Sequence, residues 1–212
     1  MPTTIDLEKQ ILEDAATSPV MAIMRLSLEI DRELRKLLAV TGILDRYEAQ
    51  SLPGAIELLE KHVELPRELG EAVNEFWSLR NIVVHGGGLV ERFALRALDY
   101  GFRILRLIRT IPRHSYVVVH AGIPVYEDAD CNSLRQGVHG VMLETVSPEG
   151  QSLRRQVFPT TRTHIPGRNV SWEWNKRRKG WDATWYRDPE TNEPKRAWSG
   201  ALEFVGRELE DV

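Results

Sequence analysis

Leucine and tryptophan occupy opposite halves of this chain. Residues 1–112 hold 19 leucines and one tryptophan, Trp77. Residues 113–212 hold 5 leucines and five tryptophans: Trp172, Trp174, Trp181, Trp185 and Trp198. Leucine favours helices, whereas tryptophan and β-branched residues favour sheet. Opposite preferences in the two halves predict two domains joined near Pro112. The expectation is an α+β chain, with an all-α helical bundle over 1–112 and a small antiparallel all-β sandwich or barrel over 113–212.

Composition narrows the function classes. The chain is 42% hydrophobic and 28% charged, as in a soluble, core-forming protein. Its net charge of −3 excludes a uniformly basic nucleic-acid coat protein, so any basic surface must be local. No run of 18 apolar residues is present and the first ten residues are polar, so neither a membrane span nor a secretory signal is expected. The one cysteine, Cys131, cannot form an internal disulfide, and a cytoplasmic home follows as the expectation.

The N-terminal half is punctuated as helices. Residues 4–16 read as a first helix, with Thr3 and Asp6 placed for a capping box. Ser18-Pro19 is an N-cap followed by proline at the first helical position, and Gly42 is placed as a C-cap. Further helices are expected near Pro53, from Pro66 to His85, and over about 90–110, with Gly86-Gly87-Gly88 and Pro112 as stops. In the helix from Pro66 to His85, rotation by about 100° per residue puts Ala72, Phe76, Leu79 and Val83 on a core face. Asn74, Ser78, Asn81 and His85 form a polar stripe opposite, and its apolar flanks predict burial by a neighbouring helix or a second subunit.

Arg80 and His85 suit phosphate chemistry. Arginine offers a fixed fork of donors for phosphoryl oxygens, and histidine moves protons near neutral pH. The run Arg80-Asn81-Ile82-Val83-Val84-His85, late in a small helical bundle, resembles the R-x4-6-H motif of HEPN domains. That resemblance covers about the first 112 residues. It implies a dimeric all-α domain acting as a metal-independent endoribonuclease, as in many toxins and defence effectors, with RNA as substrate and an antitoxin or regulatory protein as a further partner. It also implies that Arg80 stabilises the scissile phosphate and His85 transfers a proton. Asn81 orients one of them or binds phosphate, and the RNA 2′-hydroxyl attacks to leave a 2′,3′-cyclic phosphate. Some HEPN domains are non-catalytic binding modules, and both outcomes stay open. The bland alternative pairs Arg80 with an acid such as Glu75 or Asp99 and makes His85 a helix cap.

Substrate-binding candidates lie near this motif and in the second half. Ser78 shares the polar stripe, and Arg92, Arg96, Arg103 and Arg106 fall on one face of the last helix. That ladder either guides an RNA backbone or is an ordinary solvated face. In the second half, strands are expected over 116–120, 138–146, 152–158, 170–175, 181–187 and 197–205. The pair 170–175 and 181–187 reads as a hairpin with Lys176, Arg177, Arg178 and Lys179 at its tip, beside Trp172, Trp174, Trp181 and Trp185. Charge beside aromatic faces binds single-stranded nucleic acid; equally, the tryptophans are core and the tip is a solubilising turn. His120, Cys131, His139 and His164 match no zinc spacing, and no phosphate-binding loop or nucleophile elbow is present. Neither a metal nor another cofactor is expected.

Overall fold

The computed structural model describes residues 4–44, 52–85, 90–200 and 202–212. Among these, five helices come first: α1 (Thr4–Thr17), α2 (Pro19–Thr41), α3 (Leu52–Glu60), α4 (Arg67–His85) and α5 (Val90–Thr110). Seven strands follow: β1 (Ser115–Tyr126), β2 (Leu134–Val146), β3 (Ser152–Thr160), β4 (Trp174–Lys179), β5 (Trp185–Arg187), β6 (Pro194–Arg196) and β7 (Leu202–Phe204). The layout is α+β, with the antiparallel sheet curled into a half-barrel. The chain divides into two compact units, Met1–Arg35 with Arg46–Ile111, and Lys36–Asp45 with Pro112–Val212. Thr3 of the expected capping box and the Gly86-Gly87-Gly88 stop lie outside the described residues.

Local chemistry sets the helix ends. Ser18 Oγ accepts the Met21 N–H at 3.4 Å, as an N-cap does. At the other end of α2, Gly42 takes φ +75°. There the Gly42 N–H reaches the Ala39 carbonyl at 3.3 Å, and the Ile43 N–H reaches the Leu38 carbonyl at 3.1 Å. These two bonds satisfy carbonyls that a helix end leaves open. The core of the helical unit takes Leu26, Ile30 and Leu34 from α2, Phe76 and Val83 from α4, and Leu98, Ile104 and Ile108 from α5, all buried.

In the second unit, β3-β2-β1-β5-β6 form a five-stranded sheet and β4-β7 a two-stranded one. A turn over 147–151 joins β2 to β3. Ser147 N–H bonds the Gln151 carbonyl at 2.9 Å, and Ser147 Oγ accepts the N–H groups of Glu149 and Gln151. β1 runs well past the expected 120. Register breaks at Val118/His120, His120/Ile123 and Pro124/Tyr126 let it continue, with Gly122 at φ +69°. Such breaks bend and twist a strand, and here they accompany the curl of the sheet. Along β2, Val141 and Leu143 enter one core with Phe158, while Met142 enters another with Val157. This alternation leaves both faces of β2 covered.

Residues 170–175 and 181–187 do not pair with each other: β4 pairs with β7, and β5 pairs with β1 and β6. Lys176, Arg177, Arg178 and Lys179 are therefore not a hairpin tip but part of β4. Between the pairs Asn175↔Glu203 and Lys179↔Leu202 the register slips across Lys176, Arg177 and Arg178. Turn-like composition there marks an irregular strand. The final expected strand, 197–205, is also shorter than read, with regular pairing confined to Leu202–Phe204.

Candidate functional site

The candidate catalytic residues all stand on α4, whose buried face is Leu69, Ala72, Val73, Phe76, Leu79 and Val83. This face contains the four expected core residues and settles the helix's rotation. Asn74, Ser78 and His85 are consequently exposed, and Asn81 is half-buried. Among the described residues no neighbouring helix buries Asn74, Ser78 or His85, contrary to one of the two expected burials.

Arg80 is half-buried and its contacts are specific. One guanidinium nitrogen, Nη1, donates to Asn81 Oδ1 at 3.0 Å. Nη2 faces Met24 Sδ of α2 at 3.6 Å. The guanidinium carbon lies 5.2 Å from the Trp77 ring centroid, one helical turn earlier, within cation–π range. Nε is buried without a hydrogen-bond partner. Among the described residues no carboxylate pairs with Arg80, so neither Glu75 nor Asp99 neutralises it. Arg80 and His85 are separated by about 7.5 Å of helix rise and about 140° of rotation. Arg80 bonds Asn81 and Met24 rather than His85, and His85 ends the helix exposed. Trp77 and Met24 were not singled out for this site from sequence. Trp77 carried a signal, its i,i+3 spacing to Arg80. Met24 carried none.

The other candidates occupy separate positions. Arg92, Arg96 and Arg103 are exposed on α5 and make no ion pair among the described residues, whereas Arg106 is held by Glu8 at 3.2 Å. Lys176 and Arg177 are exposed; the side chains of Arg178 and Lys179 lie outside the described residues. Trp172 and Trp174 belong to the aromatic core around Phe158 and Phe204. Trp172 stacks on Tyr116 at 4.4 Å and Trp174 lies 4.5 Å from Trp198. Their ring faces are engaged by protein, which supports the core reading of the tryptophans.

His164 and His139 of the second unit are structural in their contacts. His164 is buried against Phe204, with one ring nitrogen 3.0 Å from the Gly206 carbonyl, and His139 meets the Arg162 carbonyl at 2.9 Å. Burial pushes the His164 imidazole below the usual histidine range, against the pull of the Gly206 and Arg162 carbonyls. Burial likewise pushes the Cys131 thiol up, away from the reactive thiolate. Among the described residues no three His, Cys, Asp or Glu side chains are grouped to hold a metal ion. A carboxylate missed from sequence is Glu203, 1% exposed, which accepts the Thr161 N–H at 2.8 Å and its hydroxyl at 2.6 Å. No described helix is long and apolar enough to cross a membrane. Comparison with protein-family models, curated proteins and solved structures gives no match.

Proposed function

We propose that the chain is a HEPN-like endoribonuclease, metal-independent and acting as a cytoplasmic homodimer, whose β unit recognises RNA or a protein partner. The observation that supports this best is the state of Arg80: a half-buried guanidinium without a carboxylate among the described residues. A cation so placed keeps its attraction for an incoming phosphate. In this reading Arg80 binds the scissile phosphate, and Asn81 fixes the guanidinium through its amide oxygen. His85, exposed at the end of α4, exchanges the proton as the 2′-hydroxyl attacks and the 5′-oxygen leaves. Ser78, Arg92, Arg96 and Arg103 supply local positive or polar surface for the RNA backbone, with Lys176, Arg177, Arg178 and Lys179 as a second basic stretch. Exposed Met21 and Leu28 on α2 and Leu95 on α5, each at least 65% accessible, support self-association of the helical unit, which is also what would cover the polar stripe. A toxin or defence role, restrained by an antitoxin or regulatory protein, belongs to the same proposal.

The runner-up is a non-catalytic dimeric module whose β unit recognises a protein, ligand or nucleic acid. The separation of the Arg80 contacts from His85 favours it. Cleavage of a single-stranded RNA in the presence of chelator distinguishes the two. His85→Ala is expected to slow cleavage by about 100-fold or more, the scale of a lost general acid or base. Equal rates for both proteins would remove the catalytic assignment and leave the binding module.

A further inference from the structure

Arginines in protein interiors are commonly held by carboxylates, which fix their geometry and cancel their charge together. Arg80 is fixed differently. Among the described residues its polar and cation–π contacts are an aromatic face, a thioether sulfur and a neutral amide oxygen. Each is electron-rich and none carries a formal charge, so the guanidinium is oriented while its positive charge stays whole. The contacts come from two elements. Trp77 and Asn81 lie on α4 with Arg80, and Met24 reaches it from α2. Nε, buried and without an acceptor, shows that this cradle is not a full complement of hydrogen bonds and that packing does much of the holding.

We infer that Trp77 and Met24 are positioning residues for Arg80, forming an uncharged cradle that presents the guanidinium to a phosphate without neutralising it. This rests on the endoribonuclease reading of the same site. Trp77 sets the plane of the guanidinium by lying under it. Met24 closes the side towards α2 and limits rotation about the end of the side chain. A phosphate then meets a cation already ordered, so less side-chain freedom is lost when RNA binds.

The test is a double-mutant cycle on the full chain, with a 5′-labelled single-stranded RNA oligonucleotide as probe. Trp77→Leu removes the ring face and Trp77→Phe keeps one. Trp77→Leu is expected to lower kcat/KM by roughly 3- to 30-fold, the range of a lost cation–π contact, with the larger part of the loss in kcat. Trp77→Phe is expected to recover most of that loss. In an Arg80→Ala background Trp77→Leu should cost nothing further, because its effect passes through Arg80. Met24→Leu, close in volume, should give a smaller loss that also disappears in that background. An equal loss with and without Arg80, or wild-type rates for both Trp77→Leu and Met24→Leu, would overturn the inference. If Trp77→Leu does not fold, Trp77→Phe and Met24→Leu decide it through the same cycle. A different result separates the underlying reading: if Arg80→Ala and His85→Ala both cleave like wild type, or wild type does not cleave, the endoribonuclease reading itself falls and this inference with it.

Discussion

Gly101 stands inside α5, where alanine would be the better helix former by roughly 1 kcal/mol. A Cβ there would collide with Leu26 of α2 and sit 3.0 Å from the Phe76 ring of α4, and both neighbours are fully buried. Close approach of three helices therefore outweighs propensity at this position. Gly101→Ala is expected to lower stability by about 1–3 kcal/mol through overpacking, read as a fall in melting temperature. An unchanged or raised melting temperature would show that Leu26 yields. The contrast with Arg80 is instructive at the same scale. The Arg80-Asn81-x3-His85 spacing, and the exposed end that His85 occupies, follow from positions along one helix. What touches Arg80 from outside that helix does not, because Met24 precedes it by 56 residues.

Among the elements, α4 was legible because an apolar face repeating at the helical period must turn inward. The strands were harder. β1 continues beyond 120 only because register breaks and Gly122 absorb its bending, and such breaks have no periodic signature. The segment after β3 carries a titratable consequence. His164 packs on Phe204 and meets the Gly206 carbonyl, and the neighbouring His139 of β2 and Arg162 add to the depression of its pKa. Its folded pKa is depressed, so its contribution is complete above the ordinary histidine value of about 6.5 and is lost as pH falls below it. Tryptophan-fluorescence melts between pH 8 and pH 5.5 should therefore show stability declining on acidification. His164→Phe should weaken that dependence even though it forfeits the Gly206 contact. A slope identical to wild type would mean that His164 does not titrate within this range.

At the scale of the molecule, the compact β unit includes Lys36–Asp45 as well as the residues after Ile111. The Trp172 N–H donates to the Ala39 carbonyl at 2.8 Å, and a Cβ on Gly42 would sit 2.9 Å from the Trp172 carbonyl oxygen. Gly42 also needs its positive φ, so Gly42→Ala is expected to cost about 1–3 kcal/mol and to shift the near-ultraviolet signal of the tryptophans. An unaltered tryptophan signal would detach this segment from the aromatic core. By itself the sequence determined the α+β class, the helices of the first half, and the caps at Ser18 and Gly42. Those depend on composition, on a repeat visible within one segment, and on single residues such as Ser18 and Gly42. Only the tertiary structure decided that β4 pairs with β7 rather than β5, that Trp172 and Trp174 pack in the aromatic core, and that Arg80 lies between Trp77 and Met24 with no acid paired to it among the described residues. Backbone ladders and side-chain cradles join residues far apart in the chain. Local pattern says which face is apolar; it does not say which distant face will meet it.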